Sequence, residues 1–236
     1  MNKLESNKQM AKTVIVLLWI VLALEIANLV SSILQYNLLQ TIADGGYISE
    51  QTAIANDRRE SIIAILYLTT LIIMAFTFLV WFRTAYRNLH QKVSNLAYSE
   101  GWAMGAWFVP IINLYRPYLI MHELYEDTKK LINSRELSKR VDYTTTYVGW
   151  WWSIFIASGI ANGIYIRFFS RNLFTIEDFI AQATMSIVVD VISIPLTLLA
   201  IKVVSDYSKV EPLLNEIKDE EQQVAETLTE KTDNAL

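Results

Sequence analysis

Four long apolar runs, separated by polar and charged stretches, set the pattern of this chain. The first, Thr13 to Leu34, is interrupted only by Glu25 and a few small polar residues, and the second runs from Ser61 to Phe82 and stops at Arg83. The third, Tyr147 to Ile166, includes three consecutive tryptophans, Trp150 to Trp152. The last, Ala181 to Ile201, holds Asp190 and Pro195 and is closed by Lys202. None keeps a strand period or confines its apolar residues to one helical stripe, so each predicts a helix that needs lipid or a large core around it. A chain of 236 residues cannot surround four such helices with protein. They are expected to cross a membrane over about residues 13–36, 61–82, 147–166 and 181–202, each near the ~20 residues that a bilayer core requires.

The connecting stretches carry their own signals. After the first run a turn is expected at Gly45-Gly46, with a helix restarting near Ser49, a residue that caps helices well. A helical extension, Phe82 to Val93, leaves the second span with Arg83, Arg87 and His90. Residues 101–125, GWAMGAWFVPIINLYRPYLIMHELY, are apolar and aromatic enough to enter a bilayer, yet they carry Pro110, Asn113, Arg116, Pro117, His122 and Glu123. That many interruptions exclude a routine span and predict a re-entrant or interfacial hairpin. An amphipathic helix follows over about 123–137, with 124, 125, 128, 131 and 132 on its apolar face, Thr128 counted among them, and basic neighbours Lys129, Lys130, Arg135, Lys139 and Arg140. The expected fold is therefore all-α, a polytopic bundle of four transmembrane helices holding one Pro-broken helical hairpin. Residues 1–12 form the N-terminal segment, 13–209 the membrane domain and 210–236 an acidic tail. From Glu211 onward the tail has eight acidic residues against two lysines. Its short heptad hint at Leu214, Ile217, Val224 and Leu228 is broken by Glu221, and the composition is that of a disordered tail.

Charge orients the spans. With four crossings, the side holding both termini carries 16 Lys and Arg and the other side four, Arg58, Arg59, Arg167 and Arg171. The positive-inside rule makes both termini cytoplasmic. The first apolar run exceeds a signal-peptide core and lacks a small-residue cleavage site, so it is expected to be retained.

Composition narrows the chemistry. The chain has 53% hydrophobic residues, seven Trp, twelve Tyr, no Cys and a net charge of −4. Without cysteine there is no disulfide, thiolate nucleophile or thiolate-ligated metal. Nothing points to nucleic acid, and G-x-S-x-G, P-loop and dinucleotide fingerprints are absent. His122-Glu123 lacks the second His of H-E-x-x-H. No cofactor or catalytic residue is expected; an enzyme reading would need His90, His122 and Glu123 to converge on a metal.

Two intramembrane acids stand out. At ~1.5 Å per residue, Glu25 and Asp190 both lie about 12 Å from the outer face of a ~30 Å core, with Asn162 and Thr69 or Thr70 at similar depth. Buried acids in spans face the bundle interior. They act either as a proton or cation site or as interhelical hydrogen-bonding glue to Ser, Thr or Asn. Gly159 and Gly163 form a G-x-x-x-G that permits close helix approach. Arg116, between Tyr115 and Pro117, is expected on extended or kinked backbone, with Trp102, Trp107, Asn113, Tyr115, Tyr118 and Glu123 around it. Its fork suits a phosphate; alternatively it pairs with Glu123 or satisfies carbonyls freed by the two prolines.

The residues Trp81-Phe82-Arg83, Tyr86-Arg87-Asn88-Leu89, Gly101-Trp102-Ala103, Gly105, Trp107-Phe108-Val109-Pro110, Asn113-Leu114, Arg116-Pro117-Tyr118 and Glu123-Leu124 resemble a bacterial membrane-protein family catalogued as domain of unknown function 4328. The W-F-V-P-x-x-N-L-x-R-P-Y core carries the resemblance, which extends from the second span to the last. Where that family has Trp after Glu-Leu, this chain has Tyr125. The resemblance implies a multi-pass protein of the bacterial inner (cytoplasmic) membrane and no known activity. Glu25 and Asp190 lie outside the motif. The leading expectation is a non-enzymatic component that engages a lipid headgroup or membrane partner through residues 101–125. The rival is a small-solute or ion transporter using Glu25 and Asp190.

Overall fold

The computed structural model describes residues 7–134, 144–169 and 175–214. The first six residues, Arg135 to Lys139 and Arg140 at the far end of the expected amphipathic helix, Arg171, and the acidic tail past Leu214 lie outside the described residues. Among those described the chain is all-helical: α1 (Lys8–Ala43), α2 (Glu50–His90), α3 (Trp102–Gly105), a single 3₁₀ turn (Ile112–Leu114), α4 (Arg116–Ser134), α5 (Thr146–Phe169) and α6 (Ile176–Val210).

Local chemistry explains where the long helices begin and end. α1 closes through a left-handed Gly45 at φ +78°, with the Gly46 N–H returning to the Thr41 carbonyl at 2.8 Å and Gly45 to Ile42 at 3.0 Å. This paired bonding satisfies carbonyls that a helix end leaves open. At Gly46 a Cβ would sit 2.8 Å from the Thr41 carbonyl oxygen, so only glycine fits. Ser49 caps α2 by accepting the Thr52 N–H at 3.1 Å. A capping box starts α6: Thr175 Oγ1 accepts the Asp178 N–H and Asp178 Oδ2 accepts the Thr175 N–H, both at 3.2 Å.

α1, α2 and α6 are long and apolar enough to cross a membrane. α5 is not among them, because its tryptophans, Tyr147, Tyr165, glycines and Asn162 lower its mean hydropathy, although its 24 residues span roughly 36 Å at ~1.5 Å per residue.

The chain divides into two compact units, to both of which the four long helices contribute. Unit 1 comprises residues 1–13, 78–149 and 203–236, and unit 2 residues 14–77 and 150–202. Unit 1 has an apolar, aromatic interior: Trp81, Phe82, Tyr86, Leu124, Tyr125 and Tyr207 are fully buried. Trp81 packs edge-on against Tyr207 at 6.1 Å, and Tyr125 lies 5.7 Å from the same ring while its hydroxyl donates to the Val203 carbonyl. α4 supplies Ile120, Met121, Leu124, Tyr125, Thr128 and Ile132 to this core, the helical stripe expected over 123–137 but starting a full turn or more earlier. Three of the buried polar groups described in unit 1, Asn7, Asn88 and Glu211, form one cluster. Glu211 Oε1 accepts from Asn88 Nδ2 at 2.9 Å and from Asn7 Nδ2 at 3.2 Å, and the same Asn7 amide reaches the Trp81 carbonyl at 3.1 Å.

Unit 2 is arranged the other way. Glu25, Ser31, Ser32, Asp190, Ser193 and Thr197 are buried, while Val16, Ile65, Leu68, Ile72, Phe76 and Ile160 are among many large apolar side chains left exposed. In α2 only 6% of the most apolar stretch is buried, against 39% in α6. Gly159 and Gly163 face open space: among the described residues nothing lies within 4 Å of where a Cβ would stand. The G-x-x-x-G therefore packs against no helix among the described residues.

Candidate functional site

The buried polar residues of unit 2 are spaced to face one another. Glu25, Asn28 and Ser32 on α1 stand at i, i+3 and i+7, one helical face; Ser186, Asp190, Ser193 and Thr197 repeat at intervals of three and four on α6. Together with Glu60 and Tyr67 of α2 and Asn162 and Tyr165 of α5, they border a cavity of ≈ 570 Å³; of them only Thr197 is set back from it, behind Glu25.

The three acids on the cavity are held differently. Asp190 is saturated by α1, with Oδ1 accepting from Asn28 Nδ2 at 2.6 Å and Oδ2 from Ser32 Oγ at 2.8 Å. Glu60 accepts the Ser31 hydroxyl at 2.7 Å. Its neighbour Arg59 donates to Ser31 Oγ at 2.9 Å and to Asn56 Oδ1 at 2.6 Å. Glu25, 4% exposed, accepts the Thr197 hydroxyl on Oε1 at 2.9 Å, and its Oε2 has no hydrogen-bond partner. Among the described residues no Lys, Arg or His lines the cavity, though Arg59 reaches Glu60 at 3.9 Å. Asn162 donates to the Ser158 carbonyl one turn back at 2.9 Å.

Sequence depth thus put Glu25, Asp190 and Asn162 on one level, and the structure brings all three to one cavity. Thr69 and Thr70 do not line it; Tyr67 does. Glu60, Asn28, Ser32, Tyr165 and Thr197 stand out only in the structure. The signal was present in the three-and-four spacing of small polar residues along α1 and α6.

The residues expected around Arg116 belong to unit 1 and are only partly brought together. Arg116 is the first residue of α4 rather than part of an extended turn, and Pro117 sits in the first helical turn, where its missing N–H costs nothing. The guanidinium carbon lies 4.3 Å from the Trp102 ring centroid and 5.5 Å from that of Tyr98. Glu123 does not pair with it. That carboxylate accepts the Tyr86 hydroxyl at 2.5 Å and the Ala97 N–H at 2.7 Å, so it holds the 97–98 loop against α2. Trp107 meets Phe78 edge-on at 5.9 Å, and Tyr118 contacts His122 at 5.7 Å. Asn113 bonds through its backbone to Val109 at 2.9 Å, and Tyr115 to Ile112 at 3.2 Å.

His90, with Nε2 2.8 Å from the Tyr98 carbonyl, and His122 do not join Glu123 in a metal cluster; among the described residues no group of three His, Cys, Asp or Glu is arranged to hold an ion. Outside the long apolar helices one carboxyl is displaced in its acidity: burial pushes Glu211 up to about 7 against the opposing hydrogen bonds of Asn88 and Asn7.

Three helices fit to cross a bilayer, with polar groups turned inward and apolar groups outward in unit 2, fit an integral membrane protein. The family model described as Domain of unknown function (DUF4328) matches residues 44–209, and the chain belongs to that family. No curated protein and no solved structure matches it. Glu60, Asn162 and Asp190 fall inside the matched residues, whereas Glu25 falls before them.

Proposed function

We propose that the protein is a four-span carrier of the bacterial cytoplasmic membrane, with α5 as the fourth span and both termini cytoplasmic, whose substrate is a small organic cation received in the cavity of unit 2. The observation that carries this reading is Glu25 Oε2: a carboxylate oxygen in a 4%-exposed side chain on a ≈ 570 Å³ cavity, with no partner. A buried acceptor left unmade is costly, and an ammonium group would satisfy it. Glu60 is paired with Arg59 at 3.9 Å, so the cavity's negative field comes from Glu25 and Asp190, and that field concentrates cations. Tyr67 and Tyr165 offer rings for cation–π contact.

A bare metal ion fits less well. It needs several oxygens converging at about 2.0–2.6 Å, whereas both Asp190 oxygens already accept from Asn28 and Ser32. Asp190 acts as interhelical glue, and Glu25 as counter-ion. No catalytic step is assigned.

The test is uptake into proteoliposomes of radiolabelled methylammonium, choline, putrescine and tetraethylammonium, with succinate as the anionic control. Saturable uptake of at least one cation, lost in Glu25→Gln, is expected. Equal leakage of all five probes through wild type and variant overturns the reading.

A further inference from the structure

Unit 1 buries its large apolar residues with one local exception. Among its described residues the exposed large apolar side chains are Phe108, Ile111, Leu114, Tyr115, Leu119 and Tyr147, so five of six fall within twelve residues. Phe108 and Ile111 are 71% and 75% exposed. A water-facing surface has no reason to collect them in one place while the rest of the unit is dry-cored.

The backbone there is also held in an unfavourable shape. Ile111 has φ +67°, ψ −48°, and the Ile112 N–H bonds back to the Pro110 carbonyl at 2.8 Å. Together these make a γ-turn of the rare, strained hand. A β-branched residue at positive φ costs of the order of 1–3 kcal/mol and persists where the surroundings enforce it. Here the result is an apolar side chain at the tip of the loop.

Beside this tip stands Arg116, next in sequence to Tyr115. Its guanidinium is stacked on Trp102 and Tyr98, its Nε is buried without a hydrogen-bond partner, and among the described residues no carboxylate pairs with it. The acids nearby are engaged elsewhere: Glu123 with Tyr86 and Ala97, and Glu100 with Arg83 at 3.7 Å. A fixed fork without an anion, stacked on a tryptophan and a tyrosine beside an exposed apolar loop, matches the layering of a membrane surface, where phosphate lies above acyl chain.

We infer that residues 108–119 are a membrane-interface anchor: Phe108, Ile111, Leu114 and Leu119 enter the acyl boundary, and Arg116 takes the phosphate of an anionic lipid headgroup. The occupant is the bilayer surface and not a soluble peptide.

The cysteine-free sequence permits a direct test in nanodiscs. A nitroxide on Ile111→Cys should be relaxed by oxygen and shielded from a water-soluble nickel chelate. One on Asn95→Cys, exposed in the 91–101 connection, should show the reverse. Wild type delipidated and titrated with phosphatidylglycerol should bind it in preference to phosphatidylcholine. Arg116→Gln should lower that preference about tenfold, the loss expected for one charge-assisted hydrogen-bonding pair, and Arg116→Lys should restore part of it. A label at 111 as open to the nickel chelate as the label at 95, or equal binding of the two lipids to wild type, overturns the proposal.

Discussion

The two units of this chain solve opposite solvent problems with the same helices. Unit 1 packs Trp81, Tyr86, Tyr125 and Tyr207 inside and holds the buried carboxyl of Glu211 with two asparagines. Unit 2 turns Glu25, Asp190, Ser32 and Thr197 inward and exposes Ile65, Ile72 and Phe76. In water the first arrangement is driven by apolar burial; in lipid the hydrophobic term between helices vanishes, and polar contacts and close packing hold them instead. A substitution of the same type should therefore weigh very differently in the two.

The largest effect is expected at the aromatic heart of unit 1. Trp81→Ala should destabilise the protein by about 3–5 kcal/mol, as deletion of a fully buried ring does, read as a lowered unfolding midpoint in nanodiscs. Next comes pH. Because the folded-state value of Glu211, about 7, lies above its ordinary 4.5, its contribution is complete below pH 4.5 and is lost as pH rises through about 7. Stability should fall by at most about 3 kcal/mol between pH 4.5 and pH 8 on account of this group, and Glu211→Gln should flatten that dependence. In unit 2, Asp190→Leu strands the Asn28 amide and leaves the Ser32 hydroxyl with Ser186 alone, and should cost about 1–2 kcal/mol, with Asp190→Asn costing less. Relieving the γ-turn by Ile111→Gly should stabilise unit 1 by about 1 kcal/mol, seen as a higher midpoint. Smallest of all, Ile65→Ala with Ile72→Ala should leave stability in nanodiscs within about 0.5 kcal/mol. A large loss there would mean that the exposed face of α2 is covered by protein rather than lipid.

Legibility in the sequence followed the same division. The apolar runs and Ser49 made the long helices readable, and counting residues from a span's edge was enough to bring Glu25 and Asp190 to a common level, because a straight helix converts sequence distance into depth. Glu60 escaped because it was assigned just outside the second span, a boundary that the continuous α2 erases. Thr197 and Asn28 escaped because a lone Ser, Thr or Asn in a span carries no weight until its spacing is read against a neighbouring helix. Arg116 was singled out between Tyr115 and Pro117, but its surroundings depend on where loop 91–101 returns, and no local periodicity encodes that. Its assumed partner Glu123 is taken by Tyr86, 37 residues away.

The bond between Glu25 and Thr197 joins positions separated by 172 residues. During synthesis at roughly 5–20 residues per second, the acid on the first helix therefore spends about 10–30 s without its donor, the Thr197 hydroxyl. The newborn first helix has to be kept by water, lipid headgroups or the insertion machinery until the last one arrives, so a ribosome stalled before α6 leaves an exposed acidic helix that quality-control proteases can recognise.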